Sequence, residues 1–183
     1  AAQVLSALAV QEQVVLGHVL IEDGSKDHEI AAAQRLIKEL GLSDCLYTLD
    51  ALHCKNTVEG IVGLGGDALI QLKGNQPRLL ARLREQVRRR PAHDEHYSAT
   101  LGRRNRIEQR RVRVWPLAAG SGLEPWHDHF QCLVEVTRTT ETFDPARKTF
   151  VPRAEQPALY LCTRRAGAEE LAQAGKPLTP GRP

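Results

Sequence analysis

Between residues 45 and 90 the chain twice passes from a short apolar run into a stretch of helical period, and that succession leaves few architectures open. Cys45–Leu49 (CLYTL) reads as a buried strand, and Asn56–Leu64 as a helix stopped by Gly65-Gly66. Ala68–Leu72 is a second short strand. The third segment, Gln76–Arg90, carries Leu79, Leu80, Leu83 and Val87 at helical spacing. Strands too short to alternate, separated by helices, build an α/β sheet with parallel crossovers.

The flanks extend this pattern. Ala7–Val10 closes an apolar run, and Gln13–Ile21 (QVVLGHVLI) follows, an expected antiparallel strand pair that feeds the sheet. From His28, Ile30, Ala33, Leu36, Ile37 and Leu40 recur at three and four until Gly41, which predicts a helix. The expected order to residue 90 is β-β-α-β-α-β-α. Beyond Pro91 the texture changes: Ile107–Trp115 and Gln131–Thr137 alternate, and Ala158–Thr163 is a further apolar run. These predict antiparallel strands, with loops at Gly120-Ser121-Gly122 and Asp144-Pro145 and a boundary near 91–103. GKPLTPGRP at the end predicts a disordered tail.

A chain of 183 residues with 42% apolar side chains can bury a true core. No apolar run reaches membrane-spanning length, and AAQVLSALAV lacks the basic start of a secretory leader. Cys45, Cys54, Cys132 and Cys162 form no C-x-x-C pair, so neither a zinc ribbon nor a disulfide framework is indicated, and a reduced cytoplasmic protein is expected. The absence of methionine and the start in mid-pattern suggest a piece of a longer protein.

Charge is segregated. Residues 78–113 hold twelve arginines, no lysine and four acids, a local +8 in a chain of net charge +3. Guanidinium binds phosphate oxygens bidentately and stays protonated, so an arginine-only block suits a nucleic-acid backbone. A solvated helix face followed by an exposed strand is the plainer alternative.

Asp50 is the most informative single residue. It lies at the carboxyl end of a hydrophobic strand, where open α/β sheets place ligands, and carboxylates so placed hold divalent ions in phosphoryl-transfer enzymes. It could equally cap the turn that follows. Lys73-Gly74-Asn75-Gln76-Pro77, after the next strand, could face phosphate or form an ordinary polar turn. Gly60–Gly66 (GIVGLGG) follows a helix and precedes a strand, the reverse of a phosphate-binding loop. His93-Asp94-Glu95-His96 and His127-Asp128-His129 are expected in polar loops without the partners of a metal site.

Taken together, Lys26-Asp27-His28-Glu29-Ile30, Tyr47-Thr48-Leu49-Asp50-Ala51-Leu52-His53-Cys54-Lys55, Gly65-Gly66-Asp67-Ala68 and Leu72-Lys73-Gly74-Asn75-Gln76 resemble, in order, the motifs K-S-N-E-I, T-I-D-A-x-x-C-Q, G-G-D-Y and L-K-x-N-Q. These belong to bacterial insertion-sequence transposases of the DDE superfamily, specifically the ISAs group. Arg106-Ile107-Glu108-Gln109-Arg110 is similar to the same group's G-R-I-E-x-R segment, and the similarity runs from about residue 1 to 174. The resemblance implies a ribonuclease-H-like mixed sheet (first strand missing) followed by a smaller antiparallel β insertion: residues 1–91 a partial catalytic core, 92–165 the insertion, 166–183 a helix remnant and tail.

It further implies Mg²⁺ or Mn²⁺ as cofactor, double-stranded DNA as partner, a homo-oligomer on DNA, no membrane, and a bacterial cytoplasmic, nucleoid-associated location. Asp50 matches the second of three metal-binding acids. Lys73, Asn75 and Gln76 match a signature expected near DNA, and Arg82, Arg89, Arg104, Arg106 and Arg110 are the candidate contacts of the basic block. The first acid of the group stands in an Asp-Gly-Lys segment upstream of the match to Ala1, and the third in a His-Trp-x-Ile-Glu-Asn segment beyond the match to Ala174. Glu108 matches a position outside the catalytic helix. The expectation is therefore a transposase fragment, inactive alone and marginally stable, because loss of a central first strand leaves two sheet edges unpaired. The rival readings are a non-catalytic DNA-binding module built on the Arg78–Arg113 block, and a small-molecule α/β enzyme using the Asp50 strand end.

Overall fold

The computed structural model describes residues 3–21, 26–50, 55–102, 106–117 and 129–174. Through residue 89 its elements follow the expected order: β1 (Gln3–Ala9), β2 (Val14–Ile21), α1 (Lys26–Leu40), β3 (Leu46–Leu49), α2 (Lys55–Gly63), β4 (Asp67–Leu72) and α3 (Pro77–Arg89). Then come β5 (Asp94–Gly102), β6 (Arg106–Pro116), β7 (Cys132–Asp144), β8 (Thr149–Cys162) and α4 (Ala168–Ala174). The fold is α/β, with a mixed six-stranded sheet in the order β3-β4-β8-β7-β6-β5. Only β3 and β4 run parallel, joined through α2; every other neighbour in that sheet is antiparallel.

The turns are where backbone chemistry requires them. Gly41 ends α1 at φ 58°, its N–H donating to the Ile37 carbonyl, and Gly65 ends the α2 turn at φ 79°. Gly66 lies so close to Ile61 and Tyr47 that an added Cβ would sit 3.2 Å from each, so a side chain at the α2–β4 corner would make those neighbours give by a few tenths of an ångström. Asp144 shapes the β7–β8 hairpin by accepting, through Oδ1, the N–H groups of Ala146 and Arg147.

Alternation assigns the two sheet faces. Ala68, Ile70 and Leu72 of β4 join Leu133, Leu159, Leu161 and Trp115 on one face, covered by Val58 and Ile61 of α2, Leu83 and Val87 of α3, and Ile37 of α1. Leu69, Val112, Val114, Val134 and Val136 point the other way, under Leu171 and Ala172 of α4. Leu83 and Ile61 are completely buried, and such side chains each contribute about 1.5–3 kcal/mol through burial. The Trp115 indole N–H donates to the Arg90 carbonyl, fastening the end of α3 to β6.

Several expectations need correction. The β1–β2 pair does not feed the large sheet: it is a separate two-stranded sheet held by Val19 and Ile21 against Ala32 and Leu36 of α1. Side-chain packing on a helix, not a shared ladder, attaches it. Among the described residues the outer edge of β3 is open. Strand β5 was not expected; its DEHYSATLG has almost no apolar alternation, and it forms as an edge strand through its full-length register with β6. His93 therefore precedes a strand, and His96 lies within it. Strand β7 outruns its apolar stretch because Thr137, Thr139, Thr140 and Thr142 favour extended backbone without needing burial, and β8 is extended with it as its ladder partner.

The boundary expected near 91–103 falls inside a continuous sheet and core. β4 pairs directly with β8, and Leu83 and Val87 pack with Leu133 and Leu159. The loop at Gly120-Ser121-Gly122 and the tail after Gly175 lie outside the described residues.

Candidate functional site

The carboxyl ends of the two parallel strands meet at one place. Asp50 follows β3 and Lys73 follows β4, and parallel pairing with Leu49 opposite Ile70 brings both ends to the same rim of the sheet. There the Lys73 ammonium donates to Asp50 Oδ2 at 2.7 Å, with both side chains about half exposed (49% and 50%). The two sequence candidates are thus one ion pair. Gln76 accepts the Leu80 N–H through its carbonyl and so opens α3, without a side-chain cap; Pro77 fills the first helical turn, where a missing N–H costs nothing. Asn75 is exposed in the turn between Lys73 and α3.

From this rim a cleft of ≈ 720 Å³ runs between α3 and the sheet. Its charged lining is Lys73, Arg84, Arg88 and Arg113 with one acid, Glu135. Arg113 is fixed: its Nε donates to Glu135 at 3.0 Å, its Nη2 donates to the same oxygen, and its guanidinium lies 5.2 Å from the Trp115 ring centre. Arg84 and Arg88 are exposed, one turn apart on α3.

The helical period sorts the arginines of α3. Leu83 and Val87 face the core, so Arg84 and Arg88, each one position later, lie on the flank that borders the cleft. Arg82 and Arg89 fall on the opposite flank and do not line it; Arg89 pairs with Glu85 at 2.7 Å. Within the Arg78–Arg113 block, sequence reasoning singled out Arg82 and Arg89 on α3 and did not single out Arg84, Arg88 and Arg113, which line the cleft. The offset from the buried Leu83–Val87 stripe distinguishes the two flanks. It does not say which of them faces a cleft.

The β6 candidates are spread along a ladder. Arg106 lies 3.3 Å from Glu108 and also donates to the Thr140 hydroxyl. Arg110 stands directly opposite Arg138 of β7, with its Nε and Nη1 buried and without hydrogen-bond partners among the described residues. Burial first, and then Arg138, push its proton affinity below the ordinary guanidinium value. Arg104 lies outside the described residues, as do His127 and Asp128. His129 lies 3.7 Å from Glu59. Among the described residues no three or more His, Cys, Asp or Glu side chains gather as a metal-holding group, and no helix is long and apolar enough to cross a membrane.

Comparison with known proteins gives a short but consistent similarity. The chain is 38% identical over 80 residues to "Putative protein YbfL" of Escherichia coli K12, a match covering 43% of this chain and 21% of that protein. It is 35% identical over 80 residues to "H repeat-associated putative transposase YhhI", again 43% of the chain and 21% of the relative. For "H repeat-associated putative transposase YbfD", also of Escherichia coli K12, the identity is 36% over 80 residues, covering 31% of the relative. The matched part of the chain thus spans about a fifth to a third of the length of these curated relatives. No family model and no solved structure matches.

Proposed function

We propose that this chain is part of a transposase, an enzyme that cuts and joins DNA at the ends of a mobile element. The observation that carries this reading is the 35–36% identity to two proteins named as transposases. Two structural features support it: Asp50 and Lys73 stand together where α/β sheets place phosphoryl chemistry, and an arginine-lined cleft opens from that rim. The finer assignment, to a ribonuclease-H-like DDE enzyme of the ISAs group, rests on the motif order. The open edge of β3 and the separate β1–β2 hairpin are compatible with a sheet completed by one more strand between them.

The described residues do not make an ion site by themselves. Asp50 is a single carboxylate with an ammonium already on one oxygen, and among the described residues no cluster of further acids surrounds it. Two divalent ions need several carboxylates. Asp50 is thus the acid that this part would contribute, with Mg²⁺ or Mn²⁺ binding awaiting acids from the rest of the protein. Lys73 would hold Asp50 oriented until then. The chain alone is expected to transfer no strand.

The test begins with the encoding DNA on both sides. An in-frame Asp-Gly-Lys segment upstream and His-Trp-x-Ile-Glu-Asn segment downstream would supply the remaining acids. The protein spanning them should nick supercoiled DNA in Mg²⁺, and Asp50→Asn should abolish that activity. Mg²⁺-dependent nicking by the 183-residue chain, lost in Asp50→Asn, would overturn the view that this part is incomplete.

A further inference from the structure

We infer that the cleft between α3 and the sheet binds the sugar–phosphate backbone of one DNA strand, gripped by Arg84 and Arg88 and led toward Asp50 by Lys73. This deepens the transposase reading and rests on it. Three independent observations converge. First, the cleft's cations outnumber its acids, and its one acid, Glu135, is already taken by Arg113, so the lining presents a net positive field to an incoming group. Second, Arg84 and Arg88 are spaced i,i+4, which puts their Cβ atoms about 5–6 Å apart, close to the step between successive phosphates along a strand. Both are exposed; Arg88 comes no nearer than 4.0 Å to Glu85, and Arg84 makes no ion pair among the described residues. Third, the cleft ends at Lys73, whose ammonium is 2.7 Å from the carboxylate proposed to serve the chemistry.

The size and lining of the cleft select the ligand. A cleft of ≈ 720 Å³ admits a short stretch of one strand but not the width of a duplex. Among the described residues Leu80, Val87, Pro157 and Leu159 line it without an aromatic side chain, so they offer no platform for stacking a base. Recognition therefore falls on phosphates, which favours sequence-independent binding. Arg113 acts differently from the helix arginines. Glu135 and Trp115 hold it in place, so it sets the floor of the cleft rather than reaching for a phosphate.

The test uses the whole chain and a fluorescein-labelled single strand of mixed sequence, with binding followed by anisotropy over a salt series. Removing two phosphate contacts on a single strand should lower the slope of log affinity against log salt by about 1.4, with a roughly tenfold weaker complex at low salt. Arg84→Ala/Arg88→Ala should show this loss, while Arg84→Lys/Arg88→Lys keeps most of the slope. The charge-matched control Lys38→Ala/Arg147→Ala, on α1 and the β7–β8 turn, should leave the slope unchanged. An unaltered slope in the arginine double variant, an equal loss in the control, or native binding to duplex alone overturns the cleft but not the DNA reading. Failure of the native chain to bind either form of DNA likewise overturns the cleft, while the transposase reading stands or falls with the nicking assay of the longer protein. Circular dichroism of each variant verifies the fold, and the exposure of all four side chains makes its retention the expected result.

Discussion

Lys73 and Asp50, 23 positions apart, form a 2.7 Å ion pair that ties together the carboxyl ends of two parallel strands. With both side chains half exposed, the pair is worth little to the fold, on the order of 0–1 kcal/mol. Its importance is positional. Lys73→Gln should change the urea midpoint only slightly, yet it removes the cation that competes for the Asp50 carboxylate. In a protein that also supplies the remaining acids, Mn²⁺ binding, followed by paramagnetic broadening, should tighten several-fold in Lys73→Gln and disappear in Asp50→Asn. Equal Mn²⁺ binding in that protein and its Asp50→Asn variant would place the ion elsewhere.

Thr163 should be the costliest small polar residue to alter. It is buried, its hydroxyl accepts the Ala68 N–H at 2.9 Å, and it donates to Asp67 Oδ1 at 2.9 Å. Its own N–H donates to the Ala68 carbonyl at 3.0 Å. Thr163→Val keeps the shape but strands a buried N–H and a carboxylate oxygen, a loss of about 1–3 kcal/mol by urea denaturation. Thr163→Ser, retaining the hydroxyl, should cost less.

Asp94 joins β5 to α4. Its Oδ2 accepts the Ala168 N–H at 2.7 Å, and its Oδ1 accepts the N–H of Glu95. Asp94→Ala removes the partner of an N-terminal helix N–H and should destabilise the chain by roughly 1 kcal/mol. Proteolytic cleavage within residues 168–174 should accelerate before the rest of the chain becomes susceptible; cleavage at the native rate would show that α4 is held by its other contacts, the buried Ala168, Leu171 and Ala172 and the Arg164–Glu170 ion pair.

Glu95 supplies an acid-sensitive contact. Paired hydrogen bonds from Arg111 at 2.8 and 2.9 Å hold its carboxyl below the usual 4.5. A carboxyl with a depressed folded-state pKa contributes stability above its unfolded value and loses it as pH falls through the folded one. The loss should appear below about pH 4.5. Because the pair is largely exposed it should stay under about 1 kcal/mol. Glu95→Gln should flatten that part of the stability–pH curve, and an identical curve in the variant would assign the acid sensitivity to other groups.

The β-α-β-α succession was legible because each of its elements carries its own signal: Leu83 and Val87 at helical spacing, Gly41 and Gly65 at positive φ, and four or five apolar residues for each short strand. Strand β5 was not, because its side chains carry no pattern and its backbone is extended by the partner β6, a tertiary cause. The same holds for the hairpin: β1 and β2 look like sheet strands in sequence, but which sheet they join depends on what α1 leaves room for. At the candidate site, Asp50 and Lys73 were both visible as strand ends, and their contact follows from register. Arg84 and Arg88 could not be ranked above Arg82 and Arg89 from sequence, since only the location of the sheet beside α3 separates the two flanks.

The attachment of the hairpin has a mechanical consequence. Ala32 and Leu36 of α1 hold Val19 and Ile21, while Ile37 of the same helix reaches the main core, so one fifteen-residue helix is the coupling between two sheets. Val4, Val14, Val15, Leu16 and Leu20 face solvent on the hairpin. Load applied between the sheets passes through α1 side chains rather than across a hydrogen-bonded seam, so this joint yields before either ladder tears. Amide exchange would register that as an early, separate opening of residues 3–21 while β7 and β8 remain closed.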